Sequence, residues 1–303
     1  MGTLIDSLFD EIKADRTTGA GELAKKGAET LAFFISSFSG DASAFPNELI
    51  ETAMRLIDCQ PSMAPFFHLA NNLLLAAEDQ KDPKEIRRAA KGAIDSFLLH
   101  LRTAARKISE IGRGLIPPGA RVFTHSYSAT VLRTLVDARK SGQPFEVICT
   151  ESRPMCEGLQ MARELSELGI NVQLQIDAAA AYTMRDITLV LVGVDCLTPL
   201  GLVNKVGTYG FAVSAKEKGV AFYALCGTEK LLGAKMMEKF RILRKDPREV
   251  WPHPAPGVEV LNFYFDTTPL DYLTAIVTEE GMIAGGEIFR RFQKMRVSKY
   301  FPT

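Results

Sequence analysis

Five short apolar runs, at residues 121–124, 145–150, 172–176, 188–193 and 220–225, alternate with helix-patterned segments such as 129–140 and 159–168. No other feature of the chain restricts its fold so strongly. A strand covered on both faces reads as a continuous apolar run, and two parallel strands need a crossover of about a dozen residues between them, usually a helix. Residues 121–225 therefore predict a parallel sheet with helices on both sides.

The rest of the chain has a different pattern. From residue 3 to about 111 the period is helical: Leu4, Leu8 and Ile12 recur every four residues, and 86–111 is a long amphipathic stretch. Gly19-Ala20-Gly21, Ser39-Gly40-Asp41 with Pro46, and Pro61 with Pro65 interrupt it. Residues 112–119, GRGLIPPG, concentrate breakers where the period changes. With 303 residues the chain exceeds one usual core. Two units are expected, a helical one over 1–115 and an α/β one over 116–303. Beyond Lys230 the pattern loosens around Pro247, Pro252, Pro254 and Pro256. Strand character returns at 258–265 and 274–278, and a terminal amphipathic helix is predicted from about Ile283.

Composition removes several classes of function. Lysine plus arginine equals aspartate plus glutamate at 36 each, so no basic excess exists for direct nucleic-acid binding. No uninterrupted apolar run approaches the ~18 residues of a membrane span, and the acids within MGTLIDSLFDEIKADR do not suit a signal peptide. The five cysteines are odd in number and scattered, without a Cys-x-x-Cys pair, as expected of reduced thiols in a cytoplasmic protein. The four histidines lack metal-ligand spacing, and neither GxGxxG nor a Walker loop occurs in the α/β unit. Neither metal nor cofactor is expected.

Ligands of open parallel sheets bind at the carboxyl ends of the strands. There the sequence reads THSYS (124–128), TESRP (150–154), GVD (193–195) and NKVGT (204–208), with Lys230 after the next run. Arg153, Lys205 and Lys230 would supply cations, Thr124, Ser126, Ser128 and Thr208 hydroxyls, and Asp195 the single acid. That set suits a small, polyhydroxylated, phosphorylated ligand. Gly207 and Gly210 could let helix amides approach a phosphate, although packing and capping are the commoner uses of such glycines. Arg153 either binds phosphate through its planar guanidinium or pairs with Glu151. Asp195, at a strand end, either moves a proton or only orients ligand hydroxyls. His125 reads as a core histidine. Cys196 adjoins Asp195, whose charge would raise its thiol pKa.

THSYSATVLRTL, TESRPMCEGLQMA, IDAAAAYTM and NKVGT resemble the alpha, beta and delta subunits of eukaryotic translation initiation factor 2B, the alpha subunit most closely. They are also similar to ribose-1,5-bisphosphate and methylthioribose-1-phosphate isomerases. TGAGELA (18–24) resembles the isomerases' glycine-rich phosphate loop, with Thr18 where they carry arginine, and the likeness extends to DTTPLDY and TEEG. The resemblance implies an α/β fold in which an N-terminal helical domain precedes a Rossmann-like parallel-sheet domain, and a homodimer able to join a larger assembly of related subunits. It places Gly19, Ala20, Gly21, Thr124, Ser126, Tyr127, Ser128, Arg153, Asp195, Asn204, Lys205 and Lys230 around a phosphorylated sugar or nucleoside monophosphate. Asp195 falls at the isomerases' catalytic acid-base position, but their catalytic cysteine is replaced by Ser126. A hydroxyl is far less acidic than a thiol of pKa ~8.5. The expected function is therefore regulatory binding of a sugar phosphate. The alternative is an aldose-ketose isomerase in which Asp195 works with Ser126 or Cys196.

Overall fold

The computed structural model describes residues 2–301. Five helices come first: α1 (Gly2–Ala14), α2 (Ala20–Ser37), α3 (Phe45–Cys59), α4 (Ala64–Glu78) and α5 (Pro83–Arg113). Pro46, Pro65 and Pro83 each stand at the start of a helix, where the missing N–H costs no intrahelical bond and the fixed φ already suits the helix. Asp82 caps α5 by accepting from the Lys84 amide. The prolines that read as breakers thus begin helices as well as ending the segments before them.

The α/β part runs β1 (Ala120–Thr124), α6 (Ala129–Lys140), β2 (Phe145–Thr150), α7 (Glu157–Glu167), β3 (Asn171–Gln175), α8 (Ala180–Thr183), β4 (Leu189–Val192), β5 (Cys196–Thr198), β6 (Gly201–Lys205), α9 (Thr208–Lys218), β7 (Ala221–Leu225), β8 (Phe265–Thr268), β9 (Ala275–Thr278), β10 (Gly281–Ile283) and α10 (Gly285–Lys294). Seven strands form one sheet in the order β10-β9-β7-β4-β1-β2-β3, parallel except for the edge hairpin partner β10. The order reverses beside β1: the chain leaves it toward β2 and β3, then returns to β4 on its other side. At such a reversal the two neighbouring crossovers lie on opposite faces and leave a crevice at the strand ends.

A second sheet, β5-β6-β8, is antiparallel and was not expected. The run CLTPLGLV has no alternation to announce a hairpin. Its turn is held by the Thr198 hydroxyl, which donates to the Gly201 carbonyl at 3.0 Å and accepts from the Leu200 amide at 3.1 Å. The expected strand at 258–265 begins only at Phe265, because the preceding residues form an irregular arm whose one β-bridge joins Phe263 to Arg244, outside the named strands.

The layers share an apolar core. Cys196, Val203, Leu232, Met236, Tyr264, Phe265 and Phe301 pack among the side chains of α1–α5. The end of the chain is also tied to α4: the Ser298 amide donates to Asn71 Oδ1 at 2.9 Å, and the Lys299 amide donates to Glu78 at 2.6 Å. The five cysteines are free, and among the described residues no helix is long and apolar enough to cross a membrane.

Candidate functional site

A cavity of about 990 Å³ opens where the ends of β1 and β4 meet the helical layer. Its wall contains Gly19, Ala20, Gly21, Ser126, Tyr127, Ser128, Asp195, Asn204, Lys205 and Lys230. Segments as distant in sequence as Gly19 and Lys230 converge there, helped by two close approaches. Gly193 lets the end of β4 lie against the start of α6, since a Cβ there would stand 2.5 Å from Ser128 Oγ. Ser126 adopts a left-handed φ of 64°, and its amide donates to Ser152 Oγ at 2.7 Å.

The amino end of α2 supplies one wall. Gly19 carries no side-chain cap, and the amides of the first helical turn have no partner within the helix. They are therefore free to meet an anion, which the helix dipole also favours. The preceding loop is shaped by Asp15, whose carboxylate accepts from the Thr17 and Thr18 amides at 3.2 and 2.9 Å. Gln60 Nε2 holds it from beneath by donating to the carbonyls of Ile12 and Asp15 at 2.8 and 3.3 Å.

The ionisable groups are unequally paired. Lys205 Nζ donates to Glu157 Oε1 at 2.5 Å with both side chains buried, and it lies 4.8 Å from the centre of the Tyr264 ring. Glu157 Oε2 has no hydrogen-bond partner. Lys230 is buried, but no carboxylate among the described residues forms an ion pair with it. Asp195 is half-buried in the wall, and its side chain makes no hydrogen bond within the protein. Burial raises its pKa, Lys230 and then Lys205 oppose that rise, and Glu157 adds to it. The result is a carboxyl that holds its proton above the usual carboxylate range. With Lys205 paired to Glu157, Lys230 is the one of these two lysines left to meet a ligand.

The sequence did not single out Lys245, Tyr264, Glu157, Gln60 or Arg16, which also reach the wall. Lys245 lies in the irregular arm, where no periodicity marks it. Its ammonium sits 5.0 Å from the Tyr264 ring centre, and burial followed by the charge of Arg16 makes its proton easier to lose. Arg16 is bound to Glu249, which also accepts from Tyr264 Oη at 2.7 Å and Asn262 Nδ2 at 2.8 Å.

Several expected contacts are absent. Thr124 is fully buried and does not reach the wall. Arg153 is exposed and outside it, its guanidinium donating to the Val250 carbonyl at 3.1 Å and its amide to Asp177 at 2.7 Å. It does not pair with Glu151. Two of the amides at the start of α9 are already taken, since Asp266 accepts from Gly207 at 2.8 Å and Tyr209 at 3.2 Å, and neither Gly207 nor Gly210 lines the cavity. Cys196 faces the helical core, and burial followed by Asp195 lifts its thiol pKa well up. It offers no thiol to the cavity. His125 is the expected core histidine: Nε2 donates to the Val206 carbonyl at 3.0 Å, Nδ1 accepts from Thr150 Oγ1 at 2.6 Å, and burial keeps the ring neutral. It ties the turn carrying Ser126 to the one carrying Lys205. Ser128 Oγ accepts from the Val131 amide at 3.4 Å as the α6 cap. The Tyr127 hydroxyl donates to Glu164 at 3.1 Å, and burial followed by that carboxylate pushes its pKa up to about 12.

Sequence and structure comparisons agree on kinship. The chain is 33% identical over 277 residues, 91% of this chain and 95% of the relative, to a translation initiation factor eIF-2B subunit 2-like protein of Pyrococcus furiosus. It is 34% identical over 281 residues, 90% of this chain and 88% of the relative, to ribose 1,5-bisphosphate isomerase of Archaeoglobus fulgidus. The crystal structure of translation initiation factor eIF-2B from Pyrococcus horikoshii OT3 superposes with a TM-score of 0.81 at 31% identity, covering 93% of this chain and 97% of that one. The model of the initiation factor 2 subunit family matches residues 16–285, and the chain belongs to that family.

Proposed function

We propose that this protein binds a phosphorylated sugar, or a nucleoside monophosphate, in the cavity and acts as a regulatory subunit of the initiation factor 2B type without turning the ligand over. The observation that carries this reading is the buried, unpaired Lys230 ammonium in a cavity that also receives the uncapped start of α2. A lone buried cation is costly unless an anion completes it. Phosphate would be held by Lys230 and the α2 amides, with Lys245 adding a further charged hydrogen bond. The sugar hydroxyls would meet Asp195, Asn204, Ser126 and Ser128. Binding rather than turnover is supported by Ser126, a weakly acidic hydroxyl that lines the cavity with Asp195 at the position where the resemblance places the isomerases' cysteine.

One observation favours the second reading, an aldose-ketose isomerase. Asp195 holds its proton above the usual carboxylate range, as a group that exchanges protons with a substrate should. The A. fulgidus relative, an isomerase by name, is as similar as the initiation-factor relative.

Purified protein is incubated with ribose 1,5-bisphosphate, methylthioribose 1-phosphate, ribose 5-phosphate and adenosine monophosphate, with thermal shift and product formation both followed. Our reading expects stabilisation by phosphorylated compounds, none by free ribose, and no product. Isomerisation that disappears in Asp195→Asn would instead establish the enzyme. The reading also includes a cytoplasmic homodimer able to join related subunits. A monomer by light scattering at micromolar concentration, with and without sugar phosphate, counts against that part.

A further inference from the structure

Beside Lys230 lies a second group of charges, of which Glu229 also reaches the cavity wall. His100, on α5, places Nε2 3.0 Å from Glu229 Oε2 and 3.8 Å from Glu279 Oε1. Both carboxylates are nearly buried, with only 8% and 10% of their side chains exposed, so little water reaches them. The Glu279 carboxylate also accepts from the Thr228 amide at 3.1 Å and hydroxyl at 2.5 Å. The Glu229 carboxylate folds back over Gly227, where a Cβ would stand 2.0 Å from Oε2. Gly227, Glu229 and Lys230 all belong to the cavity wall, and the Lys230 amide donates to the Gly227 carbonyl at 3.0 Å. One imidazole from the helical layer thus fastens the turn that carries the unpaired ammonium.

We propose that His100 is a positioning residue for Lys230: as an imidazolium it offsets the charge of the Glu229 carboxylate it is bonded to and leaves the Lys230 ammonium free for a ligand's phosphate. This rests on the reading that Lys230 meets that phosphate. When the imidazole loses its proton, Glu229 keeps Lys230 as its nearest cation and draws it away from the ligand. The other charged groups facing His100 do not replace it. Glu280 is bound to Arg291, and His68 on α4 donates Nε2–H to the Leu231 carbonyl at 2.5 Å, its ring kept neutral by burial. The hydrogen bond that His100 donates to Glu229 outweighs burial and raises the pKa of His100 above its ordinary value; burial is the largest influence on Glu229, and that hydrogen bond together with the charges of Lys230 and His100 overcomes it and lowers the Glu229 pKa. Ligand affinity then falls as pH rises through the His100 pKa, because the protonated state is the one that frees Lys230.

Binding of ribose 5-phosphate is measured by calorimetry between pH 6.5 and 8.5 for wild type, His100→Gln, Glu229→Gln and Lys230→Met. The phosphate's own ionisation, with a pKa near 6, is common to all and cancels in ratios. We expect wild-type affinity to fall at least about fivefold more across this range than that of His100→Gln, within the usual span of coupled sites. Glu229→Gln, isosteric and uncharged, should flatten the profile in the same way and guards against misfolding of His100→Gln. A wild-type profile within about twofold of both variants overturns the role of His100. Loss of binding in Lys230→Met with that same flat comparison overturns this inference alone. Wild-type affinity in Lys230→Met overturns the Lys230 contact and the inference together.

Discussion

Replacing Lys205 by Met separates what the buried ion pair does for the fold from what it does for a ligand. Lys205 and Glu157 are 5% and 7% exposed and joined at 2.5 Å, while Glu157 Oε2 is already without a partner. Removing the ammonium strands a buried carboxylate, which costs about 3–5 kcal/mol in comparable pairs. Unfolding entropy is about 2.1 cal/mol/K per residue, so over 303 residues that loss lowers Tm by about 5–8 °C. Lys205→Met/Glu157→Met removes both charges, and an apolar pair of similar volume commonly restores stability. Differential scanning calorimetry with and without 10 mM ribose 5-phosphate checks both effects. We expect the single variant to melt early and the double variant near wild type. If Lys205 contributes to the phosphate site, the ligand-induced shift stays reduced in both. A single variant that melts within about 1 °C of wild type would refute the argument, because the pair would then not be acting as a desolvated unit.

Lys245→Met should weaken ribose 5-phosphate binding about 10- to 150-fold by calorimetry, the loss expected for one charged hydrogen bond, with little change in the Tm of the ligand-free protein. Gly193→Ala should cost about 1–3 kcal/mol by urea denaturation and also weaken binding, since the new Cβ would displace Ser128 and the start of α6. Asp266 should oppose folding as pH rises: burial raises its pKa from 3.8 to about 6, so between those values the folded chain binds more protons than the unfolded one and stability falls. Asp266→Asn keeps an acceptor for the Gly207 and Tyr209 amides but not the titration. The Tm of wild type minus that of the variant should therefore decline from pH 4 to 6.5, and a difference independent of pH would contradict this account.

The parallel sheet was legible because burial on both faces leaves a continuous apolar run, and the interposed helices fix the direction of the strands. The helical segment was equally open to reading from its period. The convergence of Ser126, Ser128, Asp195 and Lys230 followed from one rule about strand ends, which depends on topology and not on side-chain detail; Asn204 and Lys205 reach the same cavity from β6 of the second sheet, which that rule does not cover. Pairing was not legible. Nothing in the order of residues says that Glu157 neutralises Lys205 while Lys230 stays free, that Asp266 occupies the α9 amides, or that Arg153 turns outward to Val250. Those partners are 48, 59 and 97 positions apart, and electrostatic choice among distant groups is made only when the chain has closed. The hairpin of β5 and β6 was hidden for a related reason: buried on both sides, it shows no alternation, and β8 joins it from beyond an irregular arm. The sequence by itself determined which elements form and which ends gather; the tertiary structure decided which charges are spent on the fold and which remain for a ligand.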